Sequence, residues 1–330
     1  MFASIVIPAY NAEKTIGRTI DALKNQNYPR RQYEIIVADD GSTDRTADLS
    51  EKHGAKVFRL KHMGPANARN VGAKHGRGSI ILFTDADCVP DKDWIKQMMQ
   101  PFDDPDVVGV SGTYKTLNKE KLIARFVGLE IAQRHDAMKN LEKIDFIGTF
   151  SAGYRKSVFL KLHGFSTKYK KADAEDTDLS YRIDKAGMKM VFQPAAAVAH
   201  PHPDTLWKYL KQKYRRAVWR NMLYWTGHVD KLMASDSYTP KSLFPQLLLS
   251  GFITILLLAM ALLGNSIFYF ALIPLSIFVI AALANLDLII FITKKDRKVA
   301  AWSPIILFFR NIAMILGTIV GLIKFAMKKL

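Results

Sequence analysis

Hydrophobic and polar positions follow two different patterns along this chain. From the first residues to about position 200, short apolar runs alternate with stretches whose apolar residues recur every three or four positions. "SIVIPAY" reads as a buried strand stopped at Pro8, and "AEKTIGRTIDALKNQ" puts Ile16, Ile20 and Leu23 on one helical face. "YEIIVADDGSTD" predicts a second strand ending in Asp39 and Asp40, with a Ser/Thr/Asp start signal before the helix "RTADLSEKHG". "AKVFRL" is a short third strand and "GPANARNVGAKHG" a helix opened by glycine. After the turn signals Gly76 and Gly78, "SIILFT" is a fourth strand. Strands and helices alternating in this way build a mostly parallel α/β sheet.

The second pattern is continuous apolarity. Ser242 to Leu286 carry no charged side chain, more than one bilayer crossing of about 20 residues requires, and Gly264-Asn265-Ser266 divides the stretch. "KKDRK" follows at Lys294–Lys298, and then a third apolar stretch with Arg310 inside it. These features predict a domain over 1–205, a basic-aromatic interfacial region over 206–243 and a transmembrane region over 244–330. The expected spans are 244–263, 267–293 and 300–323. Two consecutive spans argue against a soluble helical domain, so an integral membrane protein is expected. "MFASIVIPAYN" opens directly as a strand, without a basic stretch and cleavable apolar segment, so no signal peptide is expected.

If the first domain is cytoplasmic, two crossings return "KKDRK" to the cytoplasm, as the positive-inside bias requires. A third crossing leaves Lys324, Lys328 and Lys329 outside, so the last segment either spans or lies in the interface. Asp287 and Arg310 both fall within the apolar layer, where charges pair or serve a site. They are expected to pair, or Arg310 snorkels to hold a lipid phosphate.

Charge narrows the partners. The formal net charge of +17 calls for nucleic acid, an anionic membrane or phosphorylated substrates. "LWKYLKQKYRRAVWRNMLYW" interleaves basic and aromatic residues, but immediately before an apolar span it fits an interfacial amphipathic helix better than a nucleic-acid surface. No nucleic-acid partner is expected. The single cysteine, Cys88, excludes an intrachain disulfide and a cysteine-based zinc site and suits a reducing compartment.

The acidic residues carry the candidate chemistry. Asp39-Asp40 and Asp85/Asp87 lie past the carboxyl ends of two strands, where open α/β sheets bind ligands. Two carboxylates one residue apart need a cation or a proton between them; otherwise they form a solvated turn. "KKADAEDTDLSYR" crowds Asp173, Glu175, Asp176 and Asp178, which raises at least one pKa and suits a general base. Leu179 and Arg182 follow at helical spacing, which puts Asp176 at a helix start.

Five motifs in order, "IVIPAYNAEKTI", "VADDGSTDRT", "GPANARNVG", "TDADC" and "AEDTDLSYR", resemble the GT-A domain of family-2 glycosyltransferases from about residue 3 to about residue 216. The resemblance implies a Rossmann-like GT-A fold, mostly parallel, followed here by an all-α transmembrane region. It implies a metal, Mn²⁺ or Mg²⁺, at Asp85 and Asp87, with Asp87 the more direct ligand and His200 the match for a histidine that completes this site in several GT-A enzymes. It places Asp39, Asp40, Pro8, Tyr10 and Asn11 around the nucleoside. Relatives carry Glu directly after the Asn; this chain has Ala12 and then Glu13. Arg69 is expected to face a phosphate, and Asp176 to act as base with Glu175 as the fallback. Gln212, Arg215 and Arg216 loosely resemble the Gln-x-x-Arg-Trp motif of processive synthases, with Arg216 where Trp would stand. That departure weakens a polymer-synthase reading, although the arginines could still clamp a pyrophosphate or lipid phosphate. "KLIARFVGLEIAQRHDAM", Lys121–Met138, is a second amphipathic candidate, over the acceptor cleft.

The function these features imply is inverting transfer of a sugar from a nucleotide donor to a hydroxyl of a membrane-held, lipid-linked or glycolipid acceptor. The donor is expected to be a UDP-sugar, with a GDP-sugar the alternative, and the catalytic domain to face the cytoplasm at the cell membrane. A polyprenyl-phosphate glycosyl synthase, whose anionic acceptor needs no base, is the other enzymatic reading. A silent nucleotide-binding scaffold is the third, against which both carboxylate pairs stand intact.

Overall fold

The structure, a computed structural model, describes residues 1–168, 174–225, 237, 243–264 and 267–327. Eight strands form one sheet: β1 Ala3–Ala9, β2 Tyr33–Asp39, β3 Lys56–Arg59, β4 Ile80–Thr84, β5 Val89–Pro90, β6 Val107–Thr116, β7 Ser151–Arg155 and β8 Lys189–His200, in the order β3-β2-β1-β4-β7-β6-β8-β5. The helices are α1 Ile16–Lys24, α2 Thr46–Lys52, α3 Pro65–His75, α4 Trp94–Met99, α5 Leu122–Met138, α6 Lys156–Lys161, α7 Glu175–Lys185, α8 Leu206–Trp225, α9 Leu243–Gly264, α10 Ile267–Leu283, α11 Leu286–Lys295 and α12 Arg297–Ala326.

The chain divides into two compact units, residues 1–117 with 135–201, and residues 118–134 with 202–330. In the first unit β3, β2, β1 and β4 run parallel. All seven residues of β1 and of β2 are buried, the continuous apolar signature of strands covered on both faces. β1 pairs with β2 on one side and β4 on the other, which makes a switch point at their carboxyl ends. The sheet is mixed beyond that point, because β7 enters antiparallel between β4 and β6. Ile16, Ile20 and Leu23 of α1 pack into the core with Ile5, Ile35 and Trp94.

The second unit holds the apolar helices. Among the described residues α12 alone is long and apolar enough to cross a membrane; Leu272–Leu283 and Leu286–Lys295 meet the same measure together, bent by 64°. The expected uninterrupted span 267–293 is therefore broken. Asn285 sits at the break, donating from Nδ2 to Gln246 Oε1 and the Ala281 carbonyl, each at 2.8 Å, and its polar side chain draws the helix aside. Asp296 of "KKDRK" starts α12: it accepts from the Val299 N–H at 3.0 Å and from Arg125 Nε at 2.8 Å. A Cβ on Gly317 would collide with the Tyr214 carbonyl, so only glycine lets α12 approach α8 this closely.

Arg310 is where the structure corrects the sequence. It is 2 % exposed, but its counter-ion is not Asp287, which is exposed. Arg310 Nη1 donates to Glu130 of α5 at 3.2 Å, and Nη2 donates to Asn285 and Asn311. The same buried Glu130 accepts from Lys213 Nζ at 2.8 Å and Arg134 Nη2 at 2.9 Å. Burial works against the Glu130 charge, but Lys213, Arg134 and Arg310 overcome it and hold the carboxyl below its usual range. Burial lowers the Lys213 ammonium to about 7, against the pull of Glu130. Lys213 thus turns inward, where the basic-aromatic stretch predicted a surface cation.

Candidate active site

Parallel pairing places the site. Ala9 lies beside Asp39 in the β1–β2 register, and the Asp40 N–H donates to the Ala9 carbonyl at 2.8 Å. Pro8 is buried opposite Ala38. The carboxyl ends of β2, β1 and β4 therefore gather Asp39-Asp40, Tyr10-Asn11 and Asp85.

Asn11 takes a left-handed conformation, φ 49°, which its short polar side chain tolerates. Its Oδ1 accepts from the Thr43 N–H at 2.9 Å, and its own N–H donates to Ser42 Oγ at 2.9 Å. Glu13 accepts from the Arg45 N–H at 3.3 Å while its own N–H donates to Asp44 Oδ2 at 3.1 Å. These bonds stitch the loop after β1 to the loop after β2, and Glu13 serves that seam. Asp39 is buried and accepts from the Ser42 N–H and hydroxyl. Asp40, also buried, accepts from the N–H groups of Met63 and Gly64, each at 2.9 Å, and lies 3.0 Å from His62 Nδ1. Tyr10, 48 % exposed, stacks on His62 with ring centroids 4.3 Å apart.

Arg69 bridges two elements of the site. It is 2 % exposed, and its two Nη atoms donate to Asp85 Oδ1 at 2.8 Å and Glu175 Oε1 at 2.9 Å. It joins the end of β4 to the start of α7. Burial opposes its charge, and Asp85 and Glu175 more than restore it. Within the first turn of α7 the carboxylates take different places. Glu175 is buried on Arg69, and Asp178 is paired to Arg182 at 2.8 Å. Asp176 is half-buried, and its Oδ1 accepts from the Thr177 N–H at 2.7 Å. Its charge reaches the buried Tyr154 hydroxyl, which burial raises and Asp176 raises further. Asp173 lies outside the described residues.

Asp87 meets His200 because of strand pairing. β5 begins two residues after Asp87 and runs antiparallel to β8, with Val89 opposite Ala199. His200 Nε2 comes to 3.5 Å from Asp87 Oδ1. Burial raises the Asp87 carboxyl, His200 opposes it and Asp85 raises it further. Such crowding is what a divalent cation relieves. Ligand atoms of Asp85, Cys88 and His200 also lie within 4.8 Å of one another. Cys88 is the less suitable donor: its thiol is fully buried, and burial with Asp85 and Asp87 pushes it well up, toward the protonated form. The residues fit a hard divalent cation at Asp87 and His200, with Asp85 adjoining.

His62, held by Asp40 and stacked on Tyr10, has no signal in the sequence beyond its place just before a glycine-opened helix. Gln212, Arg215 and Arg216 lie on α8 in the second unit, the first two half-buried and Arg216 exposed.

The model of "Glycosyl transferase family 2" matches residues 4–162. The chain is 30 % identical to the O-antigen chain rhamnosyltransferase RfbN of Salmonella typhimurium, over 62 % of this chain and 68 % of the relative. It is 26 % identical, over 98 % of both chains, to a Methanococcus voltae enzyme named dolichyl N-acetyl-alpha-D-glucosaminyl phosphate 3-beta-D-2,3-diacetamido-2,3-dideoxy-beta-D-glucuronosyltransferase. It spans about half the length of two other curated relatives, 54 % and 52 %. In fold it is similar to a mannosyltransferase of Pyrobaculum calidifontis solved with GDP-Man and Mn²⁺, at a TM-score of 0.60 and 18 % identity, over 99 % of this chain and 88 % of that one. The family match and the extent of the RfbN relationship show that the chain belongs to glycosyltransferase family 2.

Proposed function

We propose that this protein is a membrane-anchored, inverting glycosyltransferase that moves a sugar from a nucleotide donor to a hydroxyl of a lipid-linked acceptor, with Asp176 as general base. One observation carries the reading. Arg69 ties the β4 end, which bears Asp85, to the α7 start, so the acidic pair and Asp176 belong to one site. Glu175 and Asp178 each pair with a guanidinium, and Asp176 is the half-buried carboxylate of the same turn, where a general base would stand. In the reaction the acceptor oxygen attacks the anomeric carbon as its proton passes to an Asp176 oxygen. The bond to the nucleoside diphosphate breaks, and its electron pair leaves with the diphosphate. Asp87 and His200 would hold a divalent cation, which supplies charge neutralisation on the departing diphosphate. Asp39, Tyr10 and the stitched loops around Asn11 hold the nucleoside. A lipid-linked acceptor is supported by the name of the Methanococcus voltae relative, and the membrane anchor by the length and apolarity of α12. The basic "KKDRK" supports a cytoplasmic catalytic domain by the positive-inside bias.

The test offers the purified protein a panel of UDP- and GDP-sugars with Mn²⁺ or Mg²⁺, with and without lipid-linked sugar acceptors. Release of one nucleoside diphosphate, dependent on acceptor, with an inverted linkage in the product, is expected. Release unaffected by EDTA would overturn the metal assignment, and retention of configuration the mechanism.

A further inference from the structure

We infer that His62 is a nucleobase-contacting residue that sets which nucleotide the protein accepts, acting from a platform it forms with Tyr10. The inference rests on the nucleotide-sugar reading above.

The loop carrying His62 is fixed at several points. The Leu60 N–H donates to the Asp39 carbonyl at 2.8 Å, and the Met63 and Gly64 N–H groups donate to the Asp40 carboxylate. Gly41, at φ 76°, lies so close that a Cβ there would stand 3.0 Å from the His62 backbone nitrogen. The ring is oriented as well. Its Nδ1 lies 3.0 Å from Asp40 Oδ2 and 3.1 Å from the Asp40 carbonyl oxygen. Both neighbours accept, so Nδ1 carries the proton, and in the neutral ring Nε2 is left as an acceptor. Nε2 has no partner among the described residues, and the His62 side chain is 59 % exposed.

The anchoring is therefore unlike that of a surface histidine. A buried carboxylate, part of the acidic strand end, is used to hold one exposed ring in one orientation against a second exposed ring. The two rings are tilted by 29° and both are exposed, Tyr10 on the loop that carries Asn11 and His62 held by Asp40. A flat base stacks on an aromatic face, and a base N–H can donate to Nε2 at the edge. Stacking serves any base. The edge contact is selective, because bases differ in where they offer an N–H. Asp40 then acts through His62, as a positioning residue.

The test is titration calorimetry of UDP, GDP, CDP, ADP and pyrophosphate, each with Mn²⁺, into the full-length protein in detergent. Two variants separate the contributions. His62→Asn keeps a donor for Asp40 but removes most of the stacking face, and His62→Phe keeps a face but removes Nε2. The wild type is expected to prefer one diphosphate. His62→Asn should weaken that diphosphate by about tenfold, the scale of one stacked base, and leave pyrophosphate unchanged. His62→Phe should bind it more tightly than His62→Asn does, with the preference among bases narrowed. Equal binding of the preferred diphosphate by all three proteins overturns the role of His62 and leaves the nucleotide reading intact. Equal weakening of diphosphates and pyrophosphate in both variants also overturns it, because the loop alone would then be at fault. Failure of every diphosphate to bind the wild type overturns the nucleotide reading and this inference together.

Discussion

Arg69 and Glu130 are mirror images. Each is 2 % exposed and sits at the centre of an ionic cluster of opposite sign. Around Arg69, in the first unit, stand Asp85 and Glu175, with Asp176 close enough for its charge to be felt. Around Glu130, in the second, stand Lys213, Arg134 and Arg310. The difference lies at their edges. The Arg69 cluster ends in the partly exposed Asp85 and Asp176, at the ends of a strand and a helix, so its surplus negative charge reaches the surface. The Glu130 cluster ends in buried amides, Asn285, Asn311 and Gln246, so its charge is consumed in joining α5, α8, α9 and α12.

The sharpest way to break this comparison is to remove each centre. Glu130→Leu leaves three cations without their carboxylate and should cost about 3–5 kcal/mol of stability, seen as a lowered Tm and poor yield. Asp176→Asn should lower turnover by at least about a hundredfold, with diphosphate affinity little changed and Tm near that of the wild type. Near-normal turnover would favour a phosphate acceptor, which needs no base. Arg69→Lys keeps the charge but replaces two donor nitrogens in a fixed fork by a single one. It should lower stability by about 1–3 kcal/mol and reduce turnover as Asp85 and Glu175 lose their common partner.

Two smaller effects sharpen the contrast. The Glu130 carboxyl is held below its unfolded value of 4.5, so its contribution to stability is complete above that pH and is lost as the pH falls below it. Unfolding midpoints measured from pH 6 to pH 3 should fall more steeply for the wild type than for a Glu130→Gln protein. Asp287→Leu, at an exposed position that the charge pattern alone made suspect, should change stability by no more than about 0.5 kcal/mol. A larger loss would restore Asp287 as a partner of the apolar helices.

Much of the first unit was legible in the sequence because its signals are local. A strand that ends in carboxylates, a Ser/Thr/Asp helix start and an acidic first turn each announce themselves within a dozen residues, as Asp39-Asp40, Asp85 and Asp176 did. The seam between the loops after β1 and β2 was not legible, since Asn11 and Glu13 meet Thr43 and Arg45 across 32 positions. Nor was the antiparallel entry of β7, because a strand's periodicity is blind to the direction of its neighbour.

By itself the sequence determined where strands and helices form, which acids stand at their ends and which stretches are too apolar for water. Those properties follow from periodicity and composition, which act over one or two turns of chain. Only the tertiary structure decided the partners of the buried charges. A charge removed from water takes the best partner that folding brings near, so Arg310 pairs with Glu130 across 180 positions while Asp287, closer in sequence, faces outward. The same rule turned Lys213 inward from a stretch that reads as surface and set Arg69 between two carboxylates from distant segments.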